Sequence, residues 1–337
     1  MRYVGVDLHS NNFTVCYLNE TGHYRFEQHQ LSRLAAFHRR LQPEDWVAVE
    51  ATGNVRYFCT AIQAHVAKVI VVHPGQFEVI KRSAKKTDEH DAKALALFLS
   101  KDLLPAARLK APLQAQVSSV AQTRDKLVQL RTTLRNKIRG ILIGHGRPLR
   151  KEGYESEAAL REVFAQEWEG SVRVELEVLA EQIRSLSAGI RRLERELAGL
   201  STQLPGYQNL TSIKGIGVKS AAIFLSVIGD VRDFPSADKL ASYFGIVPRV
   251  ARSNHTEYKG RITKRGSRLG RTTLVQCTLI AKRYSSYLQR FYERIKKRGG
   301  SGKAIIATAR KFLGVIYRTL KYNWVFADFP NFVLATP

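Results

Sequence analysis

The sequence predicts an α/β plus α architecture. A mixed sheet with packed helices comes first, then a helical coiled-coil connector, then a mainly helical C-terminal domain. Three observations predict it. Over the first hundred residues, short β-rich runs give way to alternating helix and strand signals. Between Leu176 and Leu204 the apolar residues step by three and four without a break. Beyond Pro205, helical patterns flank a Gly215-Ile-Gly217 turn of helix-hairpin-helix type. The expected boundaries are 1–110, 111–204 and 205–337. A chain of 337 residues is too long for one compact core and suits two domains with a connector.

The elements follow in order. Tyr3–Leu8 and Phe13–Leu18 are β-rich, and Tyr24–His29 is a third strand joined across a Glu20-Thr-Gly22 turn signal. Leu31, Leu34, Phe37 and Leu41 predict a helix over 31–41. Trp46–Glu50 is a strand and Arg56–His65 a helix. Val66–Val72 is the most apolar strand, ended by His73-Pro-Gly75. From Pro112 to Leu204 the pattern is almost entirely helical. Leu113–Ile143 is one long helix, and Gly144-His-Gly-Arg-Pro148 breaks the pattern after it. The heptad seam, Leu176 to Leu204, suits a helix packed on its own domain, with the earlier long helix as partner, or an intermolecular coiled coil.

Charge excludes several functions. Against 54 Lys+Arg stand 29 Asp+Glu, a formal charge of +25, which points to a polyanionic partner. The excess is local. Gly245 to Tyr322 holds 20 Lys+Arg and two acids, whereas 151–200 holds 11 acids and seven bases. The C-terminal domain is therefore expected to lie against phosphates. No apolar run approaches a membrane span, and the N-terminus opens into a strand pattern without a signal-peptide stretch, so a cytoplasmic, nucleoid-associated location is expected. Three unpatterned cysteines exclude a disulfide scaffold and a cysteine zinc site.

Four acids stand out within this basic chain. Asp7 ends the first strand, Glu50 ends a later one, and Asp88 and Asp91 open a helix three residues apart, on one face. Two strand ends and one helix face can gather four carboxylates around divalent metal. Two Mg²⁺ roughly 4 Å apart, or Mn²⁺ in their place, would activate one oxygen of a phosphodiester reaction and stabilise the other. Taken singly, Asp88 is also a capping residue beside Thr87, Glu50 a strand-end acid, and Glu89 a substitute ligand. Together they follow the order of a ribonuclease-H-type sheet.

Downstream, the amides after Gly215 and Gly217, with Lys214 and Lys219 beside them, can cradle a phosphate without reading sequence. An ordinary packing hairpin is the plainer reading. Further on, Arg249, Arg252, Lys259, Arg261, Lys264, Arg265 and Arg271 surround Ser253 and His255. This stretch reads as a basic loop clamping phosphates. A sharper reading makes Ser253 a nucleophile whose neighbouring arginines neutralise the phosphate; Tyr258 is the rival hydroxyl.

The set of motifs resembles the DEDD-type insertion-sequence transposases over essentially the full length. The carriers are Gly5-Val-Asp7, Val49-Glu50-Ala-Thr-Gly53, Thr87-Asp88-Glu-His-Asp91, Ile213-Lys-Gly215-Ile-Gly217, Phe244-Gly245-Ile-Val-Pro248-Arg249, Ser253 and Ile262-Thr-Lys264-Arg-Gly266. The resemblance implies a RuvC-like domain with Asp7, Glu50, Asp88 and Asp91 as metal ligands and Ser253 as catalytic serine. It implies an RNA-guided recombinase: a structured noncoding guide RNA pairs with element and target double-stranded DNA. It further implies that strands are rejoined through a phosphoserine and a four-way junction, at a composite active site within a dimer of dimers. Asn254 stands where the family usually has Gly, and Lys214 where Pro is frequent.

Two alternatives use parts of the same pattern. An unguided junction-resolving nuclease, with water as nucleophile, leaves the serine segment without a role. A nucleic-acid-binding protein without chemistry leaves four acids unexplained, because carboxylates repel phosphate unless metal bridges them.

Overall fold

The computed structural model describes residues 1–72, 87–147, 156–253 and 256–335. Two compact units divide the chain, Met1–Leu109 and Lys110–Pro337. The expected strand-ending His73-Pro-Gly75 and part of the 144–148 break lie outside the described residues.

The first unit is a six-stranded mixed sheet. In chain order come β1 (Arg2–Leu8), β2 (Asn12–Asn19), β3 (Tyr24–Gln30), α1 (Leu34–His38), β4 (Trp46–Glu50), α2 (Val55–Ile62), β5 (Lys68–Val72), α3 (Asp88–Ser100) and β6 (Ala106–Ala107). The sheet order is β3-β2-β1-β4-β5-β6. The first three strands form an antiparallel meander, while β4 runs parallel to β1 and to β5. This mixed layout is consistent with a RuvC-like fold.

Strand alternation sorts the side chains. Val4, Val6 and Leu8 join Phe13, Phe37 and Phe58 in the core on one face; Tyr3 and Ala48 pack with Leu95 and Leu99 of α3 on the other. Gly5 lies on the α3 face. A Cβ there would stand 2.0 Å from the Ala92 carbonyl oxygen and 2.5 Å from the Ala96 nitrogen. Small residues on both elements thus bring α3 directly onto β1, and this close approach sets where the start of α3 falls relative to the end of β1.

The helix expected over 31–41 is shorter. A 3-10 turn at Leu31–Arg33 leads into α1, which ends at His38. The buried Asp45 carboxylate accepts from the Gln42 amide at 2.8 Å and pairs with Arg2 at 2.7 Å. Pro43 disfavours helical backbone at Gln42. Both draw the chain into a turn before β4. Likewise α2 stops at Ile62 and gives way to a 3-10 turn over Gln63–His65.

The second unit contains α4 (Pro112–Gly144), α5 (Glu157–Phe164), α6 (Gly170–Ser201), α7 (Tyr207–Thr211), α8 (Val218–Ile228), α9 (Ala237–Tyr243), β7 (Pro248–Ser253), β8 (Thr256–Ile262), α10 (Arg268–Tyr284), α11 (Ser286–Lys321), β9 (Phe326–Asp328) and β10 (Val333–Leu334). Helices α4 and α6 are antiparallel partners. Arg124 Nη2 meets Glu194 at 2.6 Å, and Arg131 Nη1 donates to Ser187 at 3.1 Å. The heptad seam is used unequally. Leu176, Ile183, Ile190 and Leu197 are buried together with Ala180 and Ser187, whereas Leu179, Leu186, Leu193 and Leu200 are half-buried. The intramolecular contact is therefore centred beside the a/d stripe, towards the small residues. Helix α8, apolar on all sides, is buried from Ala221 to Ile228 at the centre of the unit's core.

The basic segment read as a loop is instead an antiparallel hairpin, β7 with β8. Its first strand reads Pro-Arg-Val-Ala-Arg-Ser, in which two adjacent apolar residues between arginines give no strand alternation to read.

Candidate active site and nucleic-acid interface

Three elements of the first unit deliver the acidic set to one end of the sheet. The parallel register pairs Val6 with Val49, so Asp7 and Glu50 are the next positions on neighbouring strands, on the face that α3 covers. Helix α3 starts there. The Thr87 side chain caps it, accepting from the His90 amide at 3.2 Å. Asp88 is thereby the first helical residue rather than the cap, and its carboxylate is not spent on capping. Asp91 lies one turn on, buried. Glu89 points away from the shared face of Asp88 and Asp91 by its spacing.

Sequence reasoning missed His9. Its Nε2 is 3.2 Å from Asp7 Oδ2 and 3.3 Å from Asp88 Oδ2. The signal was present, since residues i and i+2 beyond a strand share a side. Asp7, His9 and Asp88 offer ligand atoms within 4.8 Å of one another. Cis ligands of an octahedral ion with bonds of about 2.1 Å lie about 3 Å apart, so these spacings suit a divalent cation.

Electrostatics agree with that donor set. Burial pushes the Asp7 carboxyl up to about 6; His9 opposes the shift, and the charges of Asp88, Asp91 and Glu50 add to it. Three carboxylates thus press on Asp7, which is only 7% exposed. A divalent cation relieves that repulsion, and the DEDD arrangement points to divalent-metal use.

In the second unit a turn over 212–217 joins the five-residue α7 to α8. Gly215, at φ +105°, is required, since a Cβ there would sit 2.8 Å from the Ala281 nitrogen. Gly217 has extended backbone at the N-cap of α8. Lys214 is exposed. Burial, and then Arg124, hold the Lys219 ammonium below its usual value.

Ser253 closes β7 opposite Thr256 of β8. Asn254 and His255 lie outside the described residues, as do the side chains of Arg252, Ser253, Tyr258 and Lys259. Arg249, Arg261, Lys264 and Arg265 are exposed. Arg261 and Lys264 line a groove of about 1090 Å³ with Phe291, Lys303 and Arg310. Arg271 turns inward, where Nη1 donates to the carbonyls of Arg265 at 2.7 Å, Gly266 at 3.1 Å and Phe244 at 3.3 Å.

The sheet and its acids define a class, a DEDD-type DNA-processing enzyme. Residues 4–146 match the family model of DEDD transposases of the IS110 type, described as "Transposase". Residues 207–293 match the transposase IS116/IS110/IS902 family. The chain is 31% identical over 278 residues to a probable family 20 transposase of Pseudomonas aeruginosa, covering 81% of each chain. It is 24% identical to the transposase for insertion sequence element IS1111A of Coxiella burnetii, covering 95% of this chain and 90% of that one. A pilin gene-inverting protein of Moraxella bovis is 26% identical, with 95% and 96% covered. The chain belongs to the IS110/IS116/IS902 family of insertion-sequence transposases, and its activity is DNA transposition or recombination. Its partner is DNA; among the described residues no helix is long and apolar enough to cross a membrane.

Proposed function

We propose that the chain is an RNA-guided DNA recombinase with Ser253 as nucleophile and Asp7, Glu50, Asp88 and Asp91 as Mg²⁺ ligands. The observation that carries the proposal is the convergence of four acids and His9 at one sheet end in a chain of charge +25. Those four carboxylates would hold the metal, which would supply activation of the attacking oxygen and stabilisation of the leaving one. The protein's own share is to hold the carboxylates, neutralise phosphate oxygens with Arg249 and Arg252, and present Ser253 at the end of β7. Serine attack forms one phosphoester bond as the bond to a deoxyribose oxygen breaks. That oxygen leaves as a hydroxyl and later reverses the step on the partner strand through a four-way junction.

Pilin gene inversion by a relative spanning nearly the whole chain supports recombination rather than simple nicking. Guidance by a structured RNA rests on the motif resemblance and on the charge of +25, which points to polyanionic partners. The domain division 1–110, 111–204 and 205–337, the composite site and the dimer of dimers belong to the same proposal. The half-buried Leu186 and Leu193 on α6 support assembly through that helix.

The test is twofold. Nucleic acid copurifying from the native locus is sequenced, with one discrete RNA encoded beside the gene expected. Ser253→Ala is expected to abolish the covalent protein–DNA adduct while leaving DNA binding. An adduct persisting in the variant transfers the role to Tyr258 or another residue. Metal-dependent cutting without any adduct favours the unguided nuclease with water as nucleophile.

A further inference from the structure

Beside the acidic set, at the turn from β1 to β2, lies a cavity of about 850 Å³ lined by His9, Asn11, Asn12, Gln30, Leu31 and Tyr57, with two serines. Its lining includes no Lys, Arg, Asp or Glu among the described residues. In a chain with 54 cationic side chains, this is not a place for phosphate. We propose that this pocket receives the uncharged part, base and sugar, of the nucleotide next to the phosphate held at the carboxylates. The proposal rests on the reading of those carboxylates as the cleavage site.

Three features support it. The first is chemistry. Asn11, Asn12 and Gln30 present carboxamides, which pair with base edges as both donor and acceptor, and Asn and Gln suit adenine in particular. Tyr57 is 60% exposed, an aromatic face open for stacking.

The second is preorganisation. Asn12 and Gln30 are direct cross-strand partners in the β2–β3 register, so both project from the same sheet face. The Leu31 amide donates to the Asn11 carbonyl at 2.8 Å, the His9 amide donates to the Asn12 carbonyl at 2.9 Å, and Asn54 Nδ2 donates to the His9 carbonyl at 2.7 Å. The rim of the pocket is thus fixed before any ligand arrives.

The third is placement. His9 lines the pocket and also touches Asp7 and Asp88. Residues 9–12 of the lining follow Asp7 directly, and Tyr57 lies in the first turn of α2, seven residues beyond Glu50. His9 is thus common to the pocket and the acidic set, so a phosphate held at the carboxylates has the pocket beside it.

The test uses a DNA duplex spanning the boundary between the chain's own element and its flank. It carries single 4-thiothymidine substitutions around the mapped cut, with RNA from the same locus and Ca²⁺ in place of the catalytic ion. Irradiation is expected to crosslink one substituted position to Tyr57 or to the 9–12 turn in the full-length protein. Tyr57→Ala is expected to lower that crosslink and the affinity at least about fivefold, as for loss of one stacked base, while Tyr57→Phe retains both. Cutting of the duplex in Mg²⁺ with crosslinks elsewhere, or with Tyr57→Ala crosslinking like wild type, overturns the pocket and leaves the cleavage site standing. Neither cutting nor any crosslink within residues 1–109 overturns both.

Discussion

Asp7→Asn is expected to stabilise the metal-free protein. The Asp7 carboxyl is pushed from an ordinary value of 3.8 up to about 6, chiefly by burial; His9 opposes the shift, and Asp88, Asp91 and Glu50 add to it. Between those two pH values the native state holds a proton that the unfolded chain releases. Stability is therefore greatest below about 3.8 and declines as pH rises through 6. Above pH 7 the ionised carboxylate costs the fold roughly 3 kcal/mol, at 1.36 kcal/mol per pH unit. An isosteric amide removes that cost but keeps the volume. Roughly 1–3 kcal/mol is expected once imperfect hydrogen bonding of the amide is allowed for. The assay is hydrogen exchange of peptides from β1 and β4 with chelator present. Exchange at pH 8 slows by between about fivefold and a hundredfold in the variant, and the gap closes towards pH 4. Faster exchange in Asp7→Asn at pH 8 would refute the reasoning, because it would mean that Asp7 is held by partners stronger than its neighbours' repulsion.

Three further outcomes are expected. Divalent-metal affinity, measured by calorimetry, falls as pH drops through 6, because a proton and the metal compete for Asp7; a flat profile between pH 8 and 5 contradicts the raised value. Gly5→Ala pushes α3 off β1, because the new methyl meets the Ala92 carbonyl at 2.0 Å. A destabilisation of about 3 kcal/mol or more in denaturant unfolding is expected, together with loss of metal binding, since Asp88 and Asp91 move with the helix. Arg271→Ala removes the donor to three main-chain carbonyls. A loss of roughly 1–3 kcal/mol in thermal unfolding is expected, larger than for exposed Arg265→Ala.

Much of the site was legible because strand ends are written locally. Val-Ala-Val-Glu50 and Val-Gly-Val-Asp7 alternate and then stop at an acid, and Asp88 and Asp91 share a helix face by spacing alone. The antiparallel partner of the heptad helix was legible too, because two long helical patterns with a break between them have few ways to bury both stripes. The β7–β8 hairpin was not. Its strand signal is carried by two apolar residues among arginines, and cross-strand pairing is a nonlocal contact that no window contains. The shortening of the 31–41 helix was hidden for a similar reason, since it depends on Asp45 reaching Arg2, 43 positions away.

By itself, then, the sequence determined which residues have the chemistry, the order of elements that carry them, and the sign of the surface they meet. Composition and periodicity are properties of a chain in any conformation. Only the tertiary structure decided that Gly5 and Ala92 touch, and so that the α3 acids stand over Asp7. Only it raised Asp7 to about 6, set His9 between two carboxylates, and turned Arg271 inward. Those depend on burial and on distances between residues remote in sequence, quantities that come into existence when the chain packs.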